Sequence, residues 1–118
     1  MTFCDVYAGN KLVAKKVKYC GTFISKLNGL MFVKSPGGGA FLPDVRDIHM
    51  NFVRFNLRVI WLDSDFRVVS SVMARKWRLH HRQKAARHVL ELPISNHSKL
   101  KRGQKLEIRI NGKKDNDR

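Results

Sequence analysis

Leu57-Arg58-Val59-Ile60-Trp61-Leu62-Asp63, then Ser64-Asp65, then Phe66-Arg67-Val68-Val69-Ser70-Ser71-Val72-Met73-Ala74 is the stretch that decides the fold. Both arms are rich in β-branched and aromatic residues, which suit a pleated, half-buried surface. The polar residues between them can bond their own backbone and so favour a tight turn. Two such arms across so short a connection read as a β-hairpin.

Upstream, residues 2–8 read as a strand, Gly9-Asn10 as a turn and residues 11–19 as a second strand. The later half of that second strand alternates, with Val17 and Tyr19 on one face and Lys16 and Lys18 on the other. Phe23, Ile24, Leu27, Leu30 and Met31 then fall at helical spacing behind Thr22, a good N-cap. The Ser35-Pro36-Gly37-Gly38-Gly39 loop lacks the Lys-Ser or Lys-Thr of a phosphate-binding loop. Residues 40–42 read as a short strand, and Ile48, Met50, Phe52, Val53 and Phe55 as another apolar stretch.

Downstream of the hairpin, residues 87–92 form a strand closed by Pro93, and residues 99–103 a short helical turn stopped by Gly103. Leu106, Ile108 and Ile110 alternate with charges in a last strand. The spacing is too tight for repeated βαβ units. The expected fold is β-rich α+β: a curled antiparallel or barrel-like sheet of about seven short strands with one main helix packed against it. Residues 1–110 make a single globular domain, and residues 111–118 a polar tail expected to fray.

The chain has 118 residues, 43% of them hydrophobic, which suits one domain with a real core. No apolar run approaches the roughly 20 residues that span a bilayer. The N-terminus lacks a secretory pattern, so the expected location is cytoplasmic. Two cysteines, Cys4 and Cys20, cannot make a disulfide scaffold or a four-cysteine zinc site. Both sit in apolar strand contexts and read as buried small hydrophobes, with a single disulfide between them left open.

Charge is the loudest compositional feature: 24 Lys and Arg against 9 Asp and Glu, a net +15. Such a field attracts polyanions. It is concentrated. Residues 67–90 contain no acid, but hold Arg67, Arg75, Lys76, Arg78, Arg82, Lys84 and Arg87, three histidines, and Trp77. Arginines fork onto phosphates and an exposed indole stacks on a base. A second run, residues 99–105 with Lys101 and Arg102, is expected beside it, and Lys11, Lys15, Lys16 and Lys18 form a third cluster. The plainer reading is a solvated charged loop with Trp77 turned into the core.

The order of short motifs resembles the family known as domain of unknown function 192. Gly29-Leu30-Met31-Phe32 stands after the helical segment. Ile48-His49-Met50 and Phe52-Val53-Arg54-Phe55 follow the glycine loop. Val59-Ile60-Trp61-Leu62-Asp63 precedes a turn, and Val89-Leu90-Glu91-Leu92-Pro93 precedes a segment ending in Gly103. The match runs over residues 17–108. There are departures: Asn56-Leu57-Arg58 replaces the usual Pro-Ile-Asp, Phe66 replaces a common turn glycine, and Gly103-Gln104 replaces Gly-Asp. The resemblance implies a compact β-rich domain and no particular activity.

Catalytic constellations are scarce. His80 and His81 are adjacent and would point to opposite faces of a strand, and His88 and Glu91 likewise diverge. No metal site, cofactor or catalytic pair is expected. His49 and Arg54 are the candidate pocket, a histidine meeting an anionic or carbonyl group with Arg54 as its charge partner; the alternative is a half-buried histidine bonded to backbone. Three functions follow. The foremost is a non-enzymatic module contacting RNA, DNA or another polyanion through Arg75, Lys76, Trp77, Arg78, Arg82, Lys84, Arg87, Lys101 and Arg102. The others are a small-ligand or enzymatic pocket at His49 and Arg54, and a structural domain docking on an acidic protein.

Overall fold

A computed structural model describes residues 2–21, 37–44, 48–49, 56–74, 79–80, 85–110 and 113–114, with backbone alone at 48–49, 79–80 and 113–114. Among these residues the chain forms β1 (Phe3–Ala8), β2 (Lys11–Tyr19), β3 (Ala40–Leu42), β4 (Ile48–His49), β5 (Leu57–Leu62), β6 (Val68–Ala74), β7 (Leu79–His80), β8 (His88–Pro93), β9 (Glu107–Ile110) and β10 (Lys113–Lys114). Eight strands join in one sheet, in the order β10-β9-β1-β2-β3-β8-β5-β6, while β4 and β7 pair separately.

The hairpin forms where its two arms predict it. Leu57 stands opposite Ala74 and Trp61 opposite Ser70. Asp63 builds the turn, its Oδ1 accepting the N–H groups of Asp65 at 2.8 Å and Arg67 at 3.0 Å. Phe66 holds φ at 64°, the left-handed region that glycine occupies without strain. Its ring is the reason a side chain is retained there. It packs 4.6 Å from the His88 ring and 5.9 Å from Phe41, against the main core.

These two effects can be separated. Strain at such a residue costs about 1–3 kcal/mol, and losing a fully buried Phe ring costs about 3–5, less for one half-buried. Phe66→Ala, which keeps the strain and loses the ring, should destabilise by about 2–3 kcal/mol. Phe66→Gly, which removes both, should cost about 1 kcal/mol. Urea denaturation measures the difference, and a Phe66→Gly variant more stable than the parent would show that strain outweighs packing.

The core has two layers, one on each face of the sheet. Val6, Val17, Phe41, Ile60, Leu62, Leu90, Leu92 and Ile108 fill one face. Leu57, Val59, Trp61, Cys20, Ala40, Leu42 and Val89 fill the other. Strands buried on both faces need near-continuous apolar sequence, which is what LRVIWL in β5 and HVLELP in β8 supply. Cys4 and Cys20 are both buried and form no disulfide, and they belong to opposite layers.

Three expectations are corrected. There is no helix among the described residues, so the α+β class gives way to all-β; the segment at helical spacing, residues 22–31, lies outside them. Residues 99–103 form no helical turn either. Their neighbours tie down as irregular chain, with Asn96 Nδ2 and Ser98 Oγ both donating to the Val13 carbonyl at 2.9 and 3.1 Å. Second, the sheet is not closed into a barrel. β6 and the segment before β9 meet in a single isolated bridge, Arg67 to Lys105, with no ladder beyond it. Third, the sheet is not wholly antiparallel: β2 and β3 run parallel, Lys18 beside Ala40 and Tyr19 beside Phe41. A parallel pair requires a crossover of a dozen or more residues, and residues 20–39 provide that length.

Candidate functional site

Most of the sequence-derived site lies outside the described residues. That is true of Arg75, Lys76, Trp77, Arg78, Arg82, Lys84 and Arg54. His49 is described by its backbone, paired across β4 and β7 with Leu79. Arg87 is exposed, and its Nε lies 2.8 Å from Asp44 Oδ1. An exposed pair of this kind adds little stability.

Lys101 and Arg102 are exposed in the turn that precedes β9. Gln104 shapes that turn. Its Oε1 accepts the Lys101 N–H at 3.0 Å, and its own N–H reaches the Lys101 carbonyl at 3.0 Å. Gly103 carries the left-handed φ of 86° that the reversal demands. The turn docks on the hairpin: Arg67 Nη1 donates to the Gly103 carbonyl at 3.0 Å, and Gly103 N–H donates to the Val68 carbonyl at 2.8 Å. Arg67, Lys101, Arg102 and Lys105 are thereby gathered, all exposed, at one seam between the start of β6 and the approach to β9.

A second charged surface was not legible as a motif. β1 turns Cys4 and Val6 into the core and leaves Phe3, Asp5 and Tyr7 on the other face. Across from Asp5 the register of β2 shifts, which leaves Lys15 and Lys16 together at a bulge, with Lys16 at φ 51°. Asp5 Oδ1 accepts the Lys16 N–H at 3.1 Å. On β9, opposite Asp5, the Arg109 guanidinium lies 4.0 Å from the centre of the Tyr7 ring. Glu107 Oε2 holds Arg109 Nε at 2.5 Å. That hydrogen bond, more than any other effect, raises the Arg109 pKa above its usual range. The alternation in β9 placed Arg109 outward, but nothing local pointed to Tyr7.

The remaining polar groups are inward. His88 is buried, accepts the Asp44 N–H on Nδ1 at 3.0 Å and packs on Phe66 and Phe41. It is thus occupied as a structural group. Glu91 points the other way, between Val59 and Ala40 on the neighbouring strands, and is 7% exposed. Burial pushes its carboxyl up to about 7. Burial likewise pushes the Cys20 thiol up to about 11, with Lys18 opposing and Glu91 adding to the effect. A thiol held so high is a poor nucleophile. Trp61 Nε1 and Ser70 Oγ, cross-strand neighbours, are buried and find no hydrogen-bond partner among the described residues.

The glycine loop cradles backbone rather than an anion. A Cβ on Gly38 would lie 2.3 Å from the Lys15 carbonyl oxygen, and one on Gly39 2.1 Å from that of Glu91. Those glycines are explained by close chain packing. Among the described residues, no group of three or more His, Cys, Asp or Glu is placed to hold a metal ion, and no helix is long and apolar enough to cross a membrane.

Known proteins match this arrangement. The pattern of the DUF192 family (Uncharacterized ACR) covers residues 6–108. A UPF0127 protein of Thermococcus kodakarensis is 42% identical over 85 residues, 67% of this chain and 54% of that protein. One from Thermococcus gammatolerans is 37% identical, over 66% of this chain and 55% of that protein. One from Pyrococcus horikoshii is 32% identical, over 66% and 72%. The chain thus spans about half the length of the Thermococcus relatives. A crystal structure of a protein of unknown function from Novosphingobium aromaticivorans shares the fold with a TM-score of 0.71, at 21% identity over 89% of this chain and 83% of that one. The five ordered motifs and the match over residues 6–108 agree: this chain belongs to the DUF192 family.

Proposed function

We infer that this domain is a non-enzymatic binding module that contacts nucleic acid through its phosphates. The observation that carries the reading is the seam at β6 and β9. There Arg67, the first residue of the acid-free window, meets the basic run of residues 99–105 through the Arg67–Gly103 hydrogen bond. Arg67 thereby stands with Lys101, Arg102 and Lys105 on one exposed seam. The net +15 adds a long-range field of the same sign. Arg75, Lys76, Arg78, Arg82 and Lys84 extend the same stretch in sequence, and Trp77 supplies a stacking ring.

Fluorescence anisotropy with labelled single- and double-stranded oligonucleotides tests this. Affinity should fall with a log–log salt slope of roughly −0.7 to −0.9 per phosphate contacted. Replacing Lys101 and Arg102 together by Ala should reduce the magnitude of that slope by about 2, since each lost cation removes about one contact. Absence of binding at low salt ends the reading. Retention of an acidic protein after nuclease treatment would replace it with a protein-docking role.

A further inference from the structure

We propose that the outward face of β1, β2 and β9 is a stacking platform for the unpaired bases of single-stranded nucleic acid, with the Tyr7–Arg109 stack and Phe3 as its two flat surfaces. The proposal rests on the nucleic-acid reading above but uses none of the residues that carry it.

The first surface is a guanidinium plane. The Arg109 guanidinium lies over the Tyr7 ring, 4.0 Å from its centre, and is held at Nε by Glu107. A free arginine would lose side-chain entropy on stacking; this one is already ordered, and its side chain is still 39% exposed. Guanidinium planes, like aromatic rings, accept bases on their faces. The second surface is Phe3, which stays 40% exposed although apolar. Phe3 and Tyr7 are four residues apart on one strand, so they share a face at about 13 Å separation.

The charge between and beside them suits a phosphate chain. Lys18 stands opposite Phe3, and the bulge sets Lys15 and Lys16 opposite Asp5. Among the described residues the two acids on this face are both engaged, Asp5 with the Lys16 N–H and Glu107 with Arg109. A duplex hides its base faces, so only a single strand can use both the rings and the lysines.

The test compares two labelled oligonucleotides of about 15 nucleotides, one of deoxythymidine and one abasic, against the parent, Arg109→Lys and Phe3→Leu. Arg109→Lys keeps the charge and loses the plane; Phe3→Leu keeps the apolar bulk and loses the ring. The parent should bind the base-bearing strand at least about tenfold more tightly than the abasic one. Each variant should weaken base-bearing binding about fivefold or more and leave abasic binding unchanged. Unaltered melting curves are expected, because both positions are at the surface. Equal affinity for the two strands, or variants that bind as the parent does, overturns the platform. If the Lys101 and Arg102 replacement weakens both strands in that case, phosphate binding stands without it. If neither strand binds at low salt, both readings fall.

Discussion

Gly39→Ala should unfold the protein or come close to it. A Cβ at Gly39 would sit 2.1 Å from the Glu91 carbonyl oxygen, 3.1 Å from its carbon and 3.2 Å from Leu92 Cα. All three atoms are backbone of β8, so no side-chain rotation can make room. The residue also holds φ at 106°, where a side chain is strained in any surroundings. β3 has three residues and joins β2 to β8, so a shift of its entry would separate the two halves of the sheet. A loss of more than about 4 kcal/mol is expected, against a total stability for such a domain of about 5–15. Gly37→Ala is the control. Its φ of 55° is left-handed but nothing lies within 4 Å of the added carbon, so it should cost about 1–2 kcal/mol. Circular dichroism during thermal melting distinguishes them. Two variants with equal losses would show that φ alone, and not the approach of β3 to β8, constrains the loop.

Glu91→Gln should stabilise the protein at neutral and alkaline pH, by an amount that depends on pH. The carboxyl is ordinary, near 4.5, in the unfolded chain and is pushed up to about 7 in the fold by burial. Below about 4.5 it is protonated in both states. Between the two values the folded state holds the proton and the unfolded state does not, so stability falls as pH rises. Above about 7 the carboxylate is ionised inside an apolar layer and the full penalty applies. At about 1.36 kcal/mol per pKa unit, the difference corresponds to about 3 kcal/mol. Gln keeps the shape and carries no proton linkage. The stability gap between variant and parent should therefore widen by about 3 kcal/mol from about pH 4.5 to about pH 8. Urea denaturation across that range measures it. A gap that stays constant with pH would mean that a buried cation already compensates Glu91.

The hairpin, β8 and β9 were legible because each writes its burial into local sequence. In β5 and β8 the apolar run is nearly unbroken, while in β9 Ile108 and Ile110 alternate with Glu107 and Arg109. The opposition of His88 and Glu91 followed from the two-residue period of a strand. The charge of residues 67–90 was equally plain. The seam was legible only as a hope of adjacency, since what joins Arg67 to Gly103 is a hydrogen bond between chain segments far apart in sequence. The Tyr7–Arg109 stack left no local trace, because each residue alone reads as an ordinary outward strand position.

By itself, the sequence determined which residues alternate, where the two hairpin turns fall, and that the chain carries a strong positive charge. These follow from side-chain period and composition, which are local or additive. The tertiary structure alone decided the parallel pairing of β2 with β3, the meeting of β6 and the approach to β9 in a single bridge, and the absence of helix among the described residues. It alone set Phe66 at a left-handed φ and closed Gly38 and Gly39 against neighbouring carbonyls. Each of these depends on where a distant strand lies, and strand partners are chosen by the packing of two whole core layers rather than by any short stretch of chain.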